Sequence, residues 1–271
     1  MQRQNLIIAF VFLHFFVNSF GQKDSVFSLQ KKIKGDIVAF TADNQDNLYL
    51  INSSDQVKKL NANGDSIAVF NNVRKYGKIA QLDVSNPLRV LLYYKDFSTI
   101  VVLDRLLNIR STIDLRKQEI FQVQAVGLSY DNKIWLYDEF EHKLKKIDED
   151  GKLLFATSDF RQLFDEAFSF SSIYDEGGLL YLYDKNKGVY VFDYYGTLKN
   201  IFSLTGYDNF KVAGKMIFGT KKDSLMRFQP SIFQFQQYSL PGALQNSLSL
   251  LFTSTKAYAL KKDELDIFEL R

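Results

Sequence analysis

One phrase recurs along this chain, and a fixed repeat restricts the fold more than composition can, because every copy must build the same local structure. Asp46-Asn47-Leu48-Tyr49-Leu50 leads to Val57-Lys58-Lys59-Leu60, to the turn Asn61-Ala62-Asn63-Gly64, and to Ile67-Ala68-Val69-Phe70. The order returns in Asp131-Asn132-Lys133-Ile134-Trp135-Leu136, Leu144-Lys145-Lys146-Ile147, Asp148-Glu149-Asp150-Gly151 and Leu153-Leu154-Phe155. A third copy runs Leu179-Leu180-Tyr181-Leu182, Val189-Tyr190-Val191-Phe192, Asp193-Tyr194-Tyr195-Gly196 and Leu198 to Phe202. Weaker copies fill the gaps, so that Tyr49, Leu92, Trp135, Tyr181, Ile217 and Tyr258 stand 43, 43, 46, 36 and 41 residues apart. A period of about 40–45 residues is that of propeller blades.

Within each unit, short apolar segments are parted by turns that supply the positive-φ positions a tight hairpin needs. The middle segments are nearly continuous apolar runs, the pattern of a sheet covered on both faces. A β-sandwich would account for short strands and turns, but not for six copies of one phrase. The expected fold is therefore all-β, a six-bladed β-propeller. An open ring would expose sheet edges. The sixth unit ends at Glu269-Leu270-Arg271, one strand short, and the segment from Ser25 to Ile33 precedes the first unit. An N-terminal strand is expected to close the ring beside the last three strands.

The N-terminus adds a second constraint. Met1-Gln2-Arg3-Gln4-Asn5 is followed by Leu6 to Val17, an apolar run broken only by His14, and by Asn18-Ser19-Phe20-Gly21-Gln22. A basic start, a short apolar stretch and small residues at Ser19 and Gly21 match a secretory signal cleaved before Gln22. The run is shorter than the ~20 residues of a membrane-spanning helix. An uncleaved anchor or a buried strand are the alternatives. The domain plan is a signal at 1–21 and one propeller at 22–271, with no transmembrane segment after cleavage and a periplasmic location, extending to the periplasmic face of the outer membrane. A net charge of +3 spread over 271 residues gives no reason to expect nucleic acid.

The chain has no cysteine, which excludes disulfides, thiolate metal sites and cysteine nucleophiles. Past the signal, His142 is the one histidine, and a lone histidine in a charged turn offers neither a metal cluster nor a catalytic pair. Asp148-Glu149-Asp150-Gly151 resembles the start of a calcium loop but lacks the distal glutamate, and equivalent turns recur in other units, so a hairpin turn explains it better. No Gly-x-Ser-x-Gly elbow or phosphate-cradling loop occurs. Lys58-Lys59, Lys145-Lys146, Lys221-Lys222 and Lys261-Lys262 recur and could form a basic ring, though shielding of strand edges is the simpler account. Catalytic, cofactor and metal residues are accordingly expected to be absent. The alternative is an enzyme or a carbohydrate-binding propeller whose carboxylates converge from separate blades in the central funnel.

Two segments look like partner contacts. Phe160, Leu163, Phe164, Ala167 and Phe168 have helical spacing, which puts three phenylalanines on one helix face. A lid packed on its own blade is the competing explanation. Ile232-Phe233-Gln234-Phe235-Gln236-Gln237-Tyr238 is uncharged and aromatic, and its candidate contacts are Phe233 and Phe235.

Asp131 to Trp135 with Lys145 to Gly151, and Asp43 to Tyr49 with Lys58 to Gly64, resemble the strand and turn pattern of six-bladed propellers of the NHL-like and quinoprotein-like group. Such propellers host enzymes, carbohydrate binders and scaffolds alike, so the resemblance implies architecture over 25–271 and little about activity. The export signal, the Phe/Tyr/Asn/Lys-rich composition and the absence of cysteine resemble exported propellers of bacteria with type IX secretion. Asp24-Ser25-Val26, Asp65-Ser66-Ile67 and Asp223-Ser224-Leu225 resemble the Asp-Ser-aliphatic acceptor of periplasmic O-glycosylation in that group. The resemblance extends to the periplasmic plug subunit of the type IX translocon. It implies a non-catalytic protein that binds another envelope protein, such as an outer-membrane translocon barrel.

Overall fold

The structure is a computed structural model and describes residues 27–71 and 73–270. The expected signal at 1–21, and Ser25 and Val26 of the expected closing strand, lie outside the described residues. In chain order the strands are β1 (Phe27–Lys34), β2 (Ala39–Ala42), β3 (Leu48–Ile51), β4 (Val57–Leu60), β5 (Ser66–Phe70), β6 (Gln81–Asn86), β7 (Arg89–Tyr94), β8 (Thr99–Asp104), β9 (Ile109–Asp114), β10 (Val123–Leu128), β11 (Ile134–Asp138) and β12 (Lys143–Ile147). They continue as β13 (Leu153–Ala156), β14 (Ser172–Glu176), β15 (Leu179–Asp184), β16 (Gly188–Phe192), β17 (Leu198–Phe202), β18 (Asp208–Ala213), β19 (Met216–Lys221), β20 (Ser224–Gln229), β21 (Gln234–Ser239), β22 (Ser249–Phe252), β23 (Lys256–Leu260) and β24 (Glu264–Leu270). Two short helices, α1 (Val73–Tyr76) and α2 (Phe160–Phe164), lie between sheets.

These strands form six four-stranded antiparallel sheets, the blades of a six-bladed propeller. Sheets 1 to 5 take consecutive strands, β2–β5 through β18–β21, and the sixth has the order β1-β24-β23-β22. β1 pairs antiparallel with β24 from Phe27 opposite Leu270 to Lys34 opposite Glu264, with one irregularity between Leu29 and Lys31. The inner strands are β2, β6, β10, β14, β18 and β22, and the outer-rim strands are β5, β9, β13, β17, β21 and β1.

The apolar middle strands are explained by the way blades stack. On β7, Val90, Leu92 and Tyr94 pack into a core shared with Tyr49, Ile51 and Val57 of sheet 1. The alternate residues Leu91 and Tyr93 pack into a core shared with Val126, Leu128 and Leu136 of sheet 3. One strand thus serves two cores and cannot carry a solvent-facing polar row. The same packing joins sheet 6 to sheet 1, where Tyr258, Leu260 and Leu265 meet Ile37, Leu48 and Leu50. At that seam Lys256 Nζ is 2.7 Å from Asp46.

The repeated phrase has a local cause. The aromatic of the second strand ties its polar tip to the turn before it: Tyr49 Oη donates to Asp43 Oδ2 at 3.2 Å, and Trp135 Nε1 to Ser129 Oγ at 3.1 Å. In the turn after the third strand the first residue caps its own backbone, as when Asp193 Oδ1 accepts from Tyr195 N and Thr197 N at 2.9 Å. Glycine then takes positive φ in three of these turns, at Gly64, Gly151 and Gly196. In sheet 2 the buried Leu107 adopts φ 62 instead, which is why that copy of the phrase is weak in the sequence.

Candidate partner-binding surface

The first predicted contact segment is a core element. α2 covers only Phe160–Phe164, with Asp159 Oδ1 accepting from Arg161 N at 2.8 Å and Asp165 in the left-handed conformation at φ 55 ending it. Phe168 therefore lies outside the helix. Phe160 and Phe168 are buried, and Phe164 is partly buried against them, all at the seam of sheets 3 and 4. The Phe160 ring stacks on Phe192 at 5.2 Å and the Phe168 ring on Phe170 at 4.9 Å. Leu163, 53% exposed, and Ala167 remain on the surface. The helical spacing is produced by aromatic rings filling a gap between two blades, so Phe160, Phe164 and Phe168 are corrected from contacts to core.

The second segment stays outside. Phe233 is 68% and Phe235 48% exposed, and Ile232 and Tyr238 are exposed beside them. β21 is the rim strand of sheet 5, and Phe233 leans edge-on against Phe202 of β17 at 5.8 Å, bridging two neighbouring rims. Sequence reasoning missed the extent of the surrounding feature, although the signal was in plain sight. From Phe228 to Thr255 the chain runs 28 residues without a charged side chain, whereas the next longest such run among the described residues, 120–130, has 11. The run covers the rim of sheet 5, the connection 240–248 and the innermost strand of sheet 6.

The chemical candidates resolve as turns and ion pairs. His142 lies in a turn at φ 53, and its carbonyl accepts from Phe160 N at 2.9 Å. Asp148 Oδ1 accepts from Asp150 N at 3.0 Å and Lys152 N at 2.9 Å, the hairpin capping seen elsewhere. No group of three or more potential metal ligands occurs among the described residues. Lys58-Lys59 and Lys145-Lys146 lie on third strands, and the other two lysine pairs lie at turns after second strands, so the four do not share a ring. Nor do they simply shield edges: Lys145 is buried, 2.7 Å from Asp138, and Lys59 is buried with Nζ donating to Arg105 O at 3.1 Å. Lys146 Nζ lies 4.8 Å from the Trp135 ring centre and 2.8 Å from Asp131.

The ring axis holds a polar group that the sequence concealed, because its members come from separate blades. Gln81 Nε2 donates to Gln124 O at 3.1 Å and to Ser171 O at 3.0 Å, and so ties the inner strands of sheets 2, 3 and 4. Asp83 is occupied, its oxygens accepting from Ser85 N and Leu128 N. Gly127 lets sheets 3 and 4 approach closely, since an added Cβ would stand 2.8 Å from Ile173 O. Lys211 on β18 lies over the Tyr174 ring at 5.1 Å. Burial lowers the Lys211 ammonium pKa, against the pull of Asp83 on β6 and of Glu176 on the neighbouring β14. Burial, with Asp175 adding to it, raises the Glu176 carboxyl. Two polar clefts of about 470 and 620 Å³ open on the face that carries the connections between sheets, one beside Asp208 and Asp223 and the other beside Glu141 and Arg161.

No protein-family model matches the sequence, and no curated protein does. Solved structures match along most of the chain. Virginiamycin B lyase from Staphylococcus aureus, solved as a catalytically inactive histidine-to-alanine variant with quinupristin, is 13% identical with a TM-score of 0.62, over 90% of this chain and 100% of that one. PorZ of Porphyromonas gingivalis, an essential surface component of the type-IX secretion system, is 15% identical with a TM-score of 0.59 over 87% of this chain, which spans 31% of PorZ. The WD40 domain of Neurospora crassa Pan2 is 10% identical with a TM-score of 0.60, over 90% and 95% of the two chains. An enzyme, a secretion component and a WD40 domain share the ring, and at these identities the likeness is one of fold.

Proposed function

We propose that this chain is an exported, non-catalytic propeller that binds another protein of the cell envelope, and that it serves type IX secretion as a plug or accessory subunit at an outer-membrane translocon barrel. The observation that carries this reading is the uncharged, aromatic rim of sheet 5, with Phe233 and Phe235 exposed. Exposed aromatic surface on an otherwise well-packed protein marks an interaction site. The likeness to PorZ supports the secretion setting, and the signal-like N-terminus supports export. Affinity purification from envelope extracts at native expression level tests the reading. Stoichiometric recovery of one envelope protein is expected, and consistent recovery of the chain alone refutes it.

A ligand-binding or catalytic channel is the second reading. It is favoured by Glu176 and Lys211, neither of which has a side-chain hydrogen bond among the described residues. Glu176→Gln or Lys211→Met would then abolish a small-molecule effect on melting while leaving recovery of the envelope protein intact.

A further inference from the structure

Three of the six rim strands carry charge, and two more directly follow a charged residue. β1 carries Lys31, Lys32 and Lys34, β9 carries Arg110 and Asp114, β17 carries Lys199, and β5 and β13 directly follow Asp65 and Lys152. β21 has no charge within it or beside it in sequence; on the neighbouring β20, Arg227 stands opposite Gln236, and Asp223 before β20 accepts from Leu240 N through its carbonyl. Rim charges discourage strand addition because an incoming chain must desolvate them, whereas an uncharged exposed edge is a template for pairing. β21 ends its sheet, and about three of its residues turn both backbone groups outward. A helix or a globular surface laid over that edge would strand those groups without hydrogen bonds, whereas an extended chain satisfies them.

The side chains set the chemistry of the occupant. Phe235 stands opposite Phe228 and Tyr238 opposite Leu225, so both faces of the strand offer aromatic surface, and Phe233 extends it toward β17. An ionised group brought here is desolvated without a partner, except for an acid that reaches Arg227. We infer that β21 is a strand-acceptor edge that pairs with an extended, uncharged, aliphatic or aromatic segment of another envelope protein. This rests on the partner-binding reading above and adds to it the mode of recognition and the partner's chemistry.

Photo-crosslinking in the native cell with the full chain tests it, a benzophenone amino acid replacing Phe235, Tyr238, Ile67 on β5 or Phe140 on the loop face in turn. The expected result is an adduct with a second protein from Phe235 and Tyr238 but not from Ile67 or Phe140, through an uncharged segment. Gln234→Lys and Gln236→Lys should cut its yield by about tenfold or more with the melting midpoint unchanged. An adduct of twice the chain's own mass makes a second copy the occupant and overturns the inference. Adducts that survive both lysines, or that arise only from Phe140 or Ile67, overturn the edge but leave partner binding standing. Adducts from none of the four positions overturn both.

Discussion

Deleting residues 22–34 removes β1 and leaves β24 as an open edge in the sixth sheet. The loss has three parts. Seven cross-strand residue pairs disappear, from Phe27 with Leu270 to Lys34 with Glu264. Their hydrogen bonds, worth about 1 kcal/mol net apiece, are largely offset by the backbone entropy of about 1–2 kcal/mol per residue that no longer has to be given up. Phe27 and Ile33 lose their partly buried places against the cores on either side of sheet 6, about half of the ~2–3 kcal/mol that full burial of each would contribute. The buried Asp266 also loses Lys32, 3.2 Å away, and keeps only Lys261 at 2.6 Å. The sum is about 3 kcal/mol, which for a chain of this size lowers the melting midpoint by about 6–12 °C. Circular dichroism melts of the intact and shortened chains measure it. A peptide of the sequence Phe27–Lys34, added in excess, should recover part of the shift in a concentration-dependent way, and a scrambled peptide should not. An unchanged midpoint would refute the reasoning that the N-terminal strand holds the ring together.

Three further outcomes separate core, turn and channel. Phe160→Ala should destabilise the fold by about 3–5 kcal/mol, with a matching fall in denaturant midpoint and no change in partner recovery by the folded protein, whereas a pure contact residue would do the reverse. Asp148→Ala should cost about 1 kcal/mol through lost turn capping, and calcium or a chelator should leave the wild-type melting curve in place. Because the Glu176 carboxyl is raised in the folded state, its contribution to stability is full below the ordinary glutamate value and is lost as pH rises through the raised one. Glu176→Gln should therefore flatten that part of the stability profile, and an identical profile in the variant would count against a raised Glu176 carboxyl.

The blades were legible because each is local. Tyr49 with Asp43 and Trp135 with Ser129 are bonded six residues apart, and the turn caps at Asn61, Asp148 and Asp193 reach only four residues ahead. The weak second copy hid because Leu107 stands where other turns have glycine, a substitution that its buried side chain offsets. The segment 160–168 misled for a physical reason: an aromatic run that fills a seam and an aromatic helix face have the same spacing, and only the neighbouring Phe192 and Tyr190 tell them apart.

What the sequence determined alone was therefore the repeat unit, its turns and the number of blades, read from hairpins whose paired residues lie close together in sequence, as Arg89 with Asp104 and Val123 with Asp138. The tertiary structure decided which apolar side chains face a neighbour and which face water. It also decided that Glu176 and Lys211 come close on the inner strands of neighbouring sheets 4 and 5, and that β21 is the one rim strand with no charge within it or beside it in sequence. Those outcomes depend on residues brought together from different blades, and no local periodicity encodes a distance between chain segments that meet only when the ring is assembled.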